Sequence, residues 1–99
     1  IYPAEVEGMM NEHPGVAAVA VVAYADSEYG ERACAFVVPR KDCALSLNGI
    51  KDFLASKRMA KFKWPERLEL VDQMPTVGDS GKVNKTVLRA RLLDTVQAA

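Results

Sequence analysis

The chain has 99 residues, 49% of them apolar, and its 13 basic side chains balance 13 acidic ones. This length and apolar content predict one small domain with its own core and exclude intrinsic disorder. Zero net charge argues against a nucleic-acid module that binds through bulk positive charge, and no apolar run reaches the roughly 18 residues of a membrane span.

The balanced charge conceals an asymmetry between the two halves of the chain. Residues 1–50 carry three basic and seven acidic side chains, whereas residues 51–99 carry ten basic and six acidic ones. Such an asymmetry is typical of an ordinary solvated surface, and it also permits an anionic partner for the basic half.

A first helix is predicted to begin at Pro3 and to end at Pro14 and Gly15, because proline suits the first helical position and the Pro-Gly pair stops a helix. Its apolar stripe at helical spacing consists of Val6, Met9, Met10 and His13. Since His13 lies on this stripe beside the helix stop, a packed or capping histidine is favoured over a general base.

Two strands follow, at about residues 16–24 and 32–38, with a turn around Ser27 between them. The first strand is apolar on both faces, which predicts a central strand covered on both sides. The second strand places alternate residues on opposite faces, with Cys34, Phe36 and Val38 on one and Ala33, Ala35 and Val37 on the other. The short connection predicts antiparallel pairing.

The cysteine pattern favours reduced thiols. Cys34 and Cys43 are too few and too far apart for a metal knuckle, and Cys34 lies within an apolar run. We therefore expect a buried free thiol at Cys34, no metal site, and a cytoplasmic protein.

The second half begins with a predicted helix that Ser46 caps. Residues 59–65 are interpreted as a connector. Residues 67–71 alternate between polar and apolar side chains, which predicts a half-buried strand with Leu68 and Leu70 facing inward.

Residues 75–82 contain proline, threonine, glycine, aspartate and serine and predict a flexible loop. Asn84 is placed to cap a last helix whose apolar face carries Leu88, Leu92 and Val96. The predicted fold is a small single α+β domain, with a sheet of about three strands, an antiparallel strand pair and three packed helices.

Two segments are candidates for chemistry. Lys82, with Lys85 nearby, lies on a glycine-containing loop, where an ammonium could stabilise negative charge on a phosphate. From composition alone, a solvated loop lysine is the more common case. The connector segment 62–65 interleaves two aromatic residues with a lysine, which suits either base stacking with phosphate contact or, more commonly, core packing.

Five segments resemble a known family in the family's own order. They are IYPAEVE at 1–7, HPGV at 13–16, GE and AFVV within 30–38, FKWP at 62–65, and SGKV with its following K, L and R at 80–89. Together they resemble the small C-terminal domain of the adenylate-forming superfamily. This superfamily contains acyl- and aryl-CoA synthetases, adenylation domains of peptide synthetases, and luciferases.

The resemblance implies that residues 1–99 are the C-terminal lid domain of an AMP-forming acid–thiol ligase. A hinge and a large N-terminal ATP-binding domain would lie outside this chain, as would the ligands for the Mg²⁺ expected with ATP. The full enzyme would join a carboxylic acid to ATP as an acyl-adenylate and then transfer the acyl group to CoA. The isolated chain is expected to be inactive.

The resemblance also implies site residues. Lys82 corresponds to the family's adenylation lysine, which enters the active site in one pose of the domain, and Ser80 and Gly81 belong to the loop that supports it. In the second pose the opposite face would help to form the pantetheine tunnel. The residues expected on this CoA or pantetheine side are Phe62, Lys63 and Trp64.

Two departures from the family pattern bear on the acceptor. The loop has seven steps from Pro75 to Lys82 where the family usually has six, and Glu66 follows Pro65 in a connector that often offers basic residues to the nucleotide. An adenylation domain that loads a carrier protein with an aryl or aminoacyl group is therefore an alternative to a CoA ligase. A non-catalytic binding module for an anionic partner is a further one.

Overall fold

The computed structural model describes residues 3–26 and 30–98 and, within them, shows three α-helices and a three-stranded sheet. In chain order these are α1 (Pro3–Met10), β1 (Val16–Asp26), β2 (Gly30–Pro39), α2 (Leu47–Ser56), β3 (Arg67–Leu70) and α3 (Lys85–Ala98). The predicted α+β class is confirmed. The predicted turn at Ser27 and the side chain of Val96 lie outside the described part.

The sheet order is β1-β2-β3, so the prediction that the first strand is central is wrong. β2 is the central strand, and β1 pairs with it antiparallel from Val16↔Pro39 to Asp26↔Gly30, as predicted. Both faces of β1 are nevertheless covered, because Val21 and Val22 point into different core clusters. An apolar sequence on both faces of a strand shows that both faces are buried. It does not show whether another strand pairs with each of its two edges, so it could not distinguish a central strand from an edge strand.

β3 adds to the other side of β2 in parallel, from Cys34↔Arg67 to Val37↔Leu70. α2 lies in the crossover that such a parallel connection needs. Leu68 packs against the core as predicted, but Leu70 is 50% exposed, so the prediction that it faces the core is wrong. Leu70 is the last residue of the strand. The alternation of side chains determines which face of the sheet Leu70 lies on, but it does not determine whether another element covers that position.

Two clusters of buried side chains lie on opposite faces of the sheet. One joins α1 and α2 to the sheet through Val6, Met10, Val21, Ala35, Val37, Ile50 and Leu54. The other joins α3 to the sheet through Ala20, Val22, Cys34, Phe36, Leu88 and Leu92. The predicted division of the second strand into a cysteine–phenylalanine face and an alanine–valine face is confirmed.

The helix ends follow local hydrogen bonding. α1 ends at Met10 and not at Pro14 as predicted, because turn bonds such as that from the His13 N–H to the Met10 carbonyl (3.0 Å) replace the helical ladder. His13 is a packed capping residue, as favoured from the sequence. Its Nδ1 accepts a hydrogen bond from the Gly15 N–H at 2.9 Å. Its ring packs edge-to-face on Phe53, with the two ring centroids 4.8 Å apart.

Both predicted N-caps are confirmed. The Ser46 hydroxyl accepts the Gly49 N–H at 3.0 Å at the start of α2, and Asn84 Oδ1 accepts the Val87 N–H at 3.3 Å at the start of α3. Among the described residues, no helix combines the length and the apolar character needed to cross a bilayer.

Cys34 is a buried free thiol, as predicted, and its burial makes stability depend on pH. Burial raises the pKa of Cys34 from 9.0 to about 12, with Glu69 adding to the increase and Arg67 opposing it. The folded chain thus favours the protonated thiol. The contribution of this protonated thiol to the free energy of unfolding is fully present below pH 9. It is lost as the pH rises through 9 towards 12.

We expect the unfolding free energy of the wild-type chain to fall relative to Cys34→Ala by about 1.4 kcal/mol per pH unit above pH 9. Urea unfolding at pH 8, 9.5 and 10.5 measures this difference. Cys43→Ala is the matched control, because Cys43 is exposed and should follow the wild type. Parallel pH profiles for wild type and Cys34→Ala would contradict the assignment.

Candidate functional site

The loop that carries Lys82 is a small hairpin between β3 and α3. Backbone bonds close its ends: the Asn84 N–H donates to the Pro75 carbonyl at 2.8 Å and the Val77 N–H to the Lys82 carbonyl at 2.9 Å. The predicted loop is therefore present, with a hydrogen-bonded base.

The tip of the hairpin depends on two glycines and one serine. Gly78 and Gly81 have φ values of 53° and 76°, a region that disfavours other residues. The Ser80 hydroxyl donates to the Val77 carbonyl at 2.6 Å and accepts the Lys82 N–H at 3.2 Å. Ser80 and Gly81 thus determine the backbone path immediately before Lys82, whose side chain is exposed to solvent.

The three connector residues differ in their surroundings. Phe62 is 76% exposed, so the core-packing interpretation is wrong for it. Trp64 packs against the core beside α1 and α2, and its Nε1–H donates to the Met59 carbonyl at 3.0 Å. The Lys63 ammonium lies 3.0 Å from a Glu5 carboxylate oxygen and 5.8 Å from the centre of the Phe62 ring.

A cleft of about 380 Å³ brings the three connector residues together with the start of β2. Its lining consists of Glu31, Arg32, Ala33, Phe62, Lys63, Trp64 and Glu66. Arg32 and Glu66 form an ion pair at 3.6 Å across it, so the cleft carries both signs of charge. Arg32 was not identified from the sequence as a residue of this site, although its position directly after the Gly-Glu motif could have indicated it.

The hairpin and the connector are attached to opposite faces of the sheet. Val83, next to Lys82, packs against the cluster beneath α3, whereas Trp64 packs against the cluster beneath α1 and α2. In the described part of the chain, no three histidine, cysteine, aspartate or glutamate side chains group as a metal site. The candidate site therefore consists of two separate segments, one on each face.

Comparison with known proteins identifies the family to which the chain containing these segments belongs. The family model described as the AMP-binding enzyme C-terminal domain matches residues 5–82. The chain belongs to this family. The match includes the whole connector and ends on Lys82.

Individual members of the family are similar over nearly the whole chain. The pyochelin synthase PchD of Pseudomonas aeruginosa is 44% identical over 95% of this chain, and the medium-chain fatty-acid–CoA ligase of Escherichia coli is 38% identical over 90%. The chain spans only 17% and 16% of their respective lengths. The structure of MatB from Rhodopseudomonas palustris has a TM-score of 0.87 at 34% identity, and the similarity covers 96% of this chain and 19% of that one.

The different surroundings of Phe62 and Trp64 within this family domain predict different effects on stability. Trp64→Phe removes the bond to the Met59 carbonyl and should lower the unfolding free energy by about 1 kcal/mol. Phe62→Ala removes an exposed ring and should change it by less than about 0.5 kcal/mol. Urea unfolding of the 99-residue chain measures both, and equal losses would contradict the packing of Trp64 against the core and the exposure of Phe62.

Proposed function

We propose that this chain is the C-terminal lid domain of an ATP-dependent, AMP-forming carboxylic acid ligase. The observation that carries the proposal is Lys82, exposed on a hydrogen-bonded hairpin at the end of the family match. A large N-terminal domain of the same protein would supply the acyl pocket, the ATP site and the ligands for Mg²⁺. The chain's share of its relatives' length supports such a division.

Lys82 would act in the first half-reaction. A carboxylate oxygen of the acid attacks the α-phosphorus of ATP, a new P–O bond forms, and the bond to pyrophosphate breaks. Negative charge accumulates on the phosphate oxygens during this exchange. An ammonium held there, away from water, stabilises the transition state more than the bound substrates.

The connector cleft would act in the second half-reaction, in which a thiol sulfur attacks the acyl carbon and AMP leaves. The exposed Phe62 ring offers a flat surface on which an adenine base can stack, and Lys63 lies beside it. Because the hairpin and the connector lie on opposite faces, a swing of the domain would exchange them at the active site.

CoA is the acceptor that this cleft favours, because it carries the adenine nucleotide that Phe62 and Lys63 suit. The matched relatives include ligases that use CoA and ligases that use an acyl-carrier protein. Loading of a carrier protein is therefore the second candidate, and the carboxylates of Glu31 and Glu66 in the cleft favour it by opposing phosphate groups.

Lys82→Ala in the full-length protein should reduce ATP–pyrophosphate exchange by roughly 10² or more, because one charge contact in the transition state is lost. Thioester formation from a supplied acyl-adenylate should continue at the wild-type rate. Lys57→Ala is the matched control, since Lys57 is an exposed lysine on another part of the surface, 3.5 Å from Glu12. Exchange at the wild-type rate in Lys82→Ala would refute the proposed role.

Phe62→Ala should raise the KM for CoA in the thioester half-reaction roughly tenfold, the loss expected for one stacked base. Pyrophosphate exchange should not change. Leu70→Ala removes another exposed apolar side chain and serves as the control. An unchanged KM for CoA, together with turnover on a carrier protein, would favour the second candidate.

A further inference from the structure

One carboxylate on α1 joins the edge of the sheet to the start of α3. Glu7 Oε2 accepts the Val21 N–H of β1 at 2.7 Å, and the Lys85 ammonium lies 2.9 Å from the same oxygen. The Glu7 side chain is only 21% exposed, and that of Lys85 is 39% exposed. A single partly buried oxygen thus holds a backbone N–H and a cation together.

The position of β1 explains why the carboxylate is needed. β1 is an edge strand, so every second N–H and carbonyl points away from β2 and requires another partner. Glu7 supplies the partner for Val21, and the Arg89 Nε–H of α3 donates to the Ala23 carbonyl at 3.1 Å. The start of α3 is therefore attached to the sheet edge at two neighbouring positions.

Lys85 also lies next to the base of the hairpin. It follows Asn84, whose N–H closes the hairpin on the Pro75 carbonyl at 2.8 Å. Lys82 is three residues before Lys85 and lies inside the hairpin that this bond closes, whereas Lys85 is the first residue of α3. Any displacement of Lys85 from Glu7 therefore acts on the base of the segment that presents Lys82.

We propose that Glu7 and Lys85 are positioning residues for Lys82: their ion pair, anchored on the Val21 N–H, sets where the hairpin base lies on the domain. This inference rests on the proposed adenylation role of Lys82. An ion pair with a partly exposed partner contributes little to stability, whereas a catalytic group displaced by about 1 Å can lose roughly 10² in rate. The pair therefore affects adenylation more than folding.

Three variants of the full-length ligase test the proposal. Lys85→Met removes the ammonium and leaves the Glu7–Val21 bond, Glu7→Gln keeps an acceptor for Val21 and removes the charge, and Lys85→Arg keeps the ion pair. The first two should lower kcat for pyrophosphate exchange roughly tenfold, with KM for ATP and for the acid within about twofold of wild type. This loss is smaller than the roughly 10² of a displacement of about 1 Å, because the backbone bonds that close the hairpin remain. Lys85→Arg should retain most of the rate.

The other half-reaction and a control lysine separate positioning from loss of structure. Thioester formation from a supplied acyl-adenylate should not change in any of the three variants. Lys57→Met removes the ammonium of another lysine–glutamate pair, which lies 3.5 Å from Glu12, and should match the wild type in both half-reactions. Circular dichroism melts of the full-length ligase should place Lys85→Met within a few degrees of wild type.

Two results would overturn the inference, and both differ from failure of the proposed function. Wild-type exchange in Lys85→Met, while Lys82→Ala is inactive, would show that the pair does not position Lys82. A raised KM in Lys85→Met with normal kinetics in Glu7→Gln would show that Lys85 contacts substrate itself. Normal exchange in Lys82→Ala would instead refute the adenylation role on which the inference rests.

Discussion

The burial of β2 on both faces is the constraint on which the rest of the domain depends. Five consecutive residues, 33–37, are buried, and their side chains alternate between the two core clusters. Such a strand needs a layer on each side, which α1 and α2 provide on one face and α3 on the other. The same separation assigns the connector to one face and the hairpin to the other, so the arrangement of candidate functional segments follows from the core.

The outer edge of β1 creates a second requirement, which side chains meet. An exposed strand edge invites pairing with another chain unless its polar groups are occupied. Here a carboxylate from α1 and a guanidinium from α3 occupy two of them, at Val21 and Ala23. These contacts come from helices on opposite faces of the sheet, so they also link the two layers around the edge of β1.

Local signals in the sequence predicted much of the fold. Capping at Ser46 and Asn84, and the two faces of β2, depend on neighbouring residues and were predicted correctly. Strand order, the parallel pairing of β3 and the exposure of Leu70 depend on segments distant along the chain, which periodicity does not encode. The early end of α1 reflects turn bonds that compete with the helix before Pro14 is reached.

The candidate site also combines features that local motifs predicted and features that depend on distant segments. Motif order indicated Lys82 and the connector, because spacing within a motif is a local property. Motif order could not predict that Phe62 is exposed while Trp64 packs against the core, because the burial of each ring depends on the surrounding helices. It also missed Arg32 and the contact between Glu7 and Lys85, which only the folded sheet brings within reach.

Ion pairs link the short helix α1 to the connector and to the residue that follows the hairpin base. Two alternate residues of α1 serve them: Glu5 pairs with Lys63 of the connector at 3.0 Å, and Glu7 pairs with Lys85 beside the hairpin at 2.9 Å. α1 is also packed into the core through Val6, which lies between these two glutamates and is 1% exposed. A motion that carries one segment away must therefore carry the other with it, or break an ion pair. In the proposed ligase, this favours rotation of the domain as one body over separate loop movements for the two half-reactions.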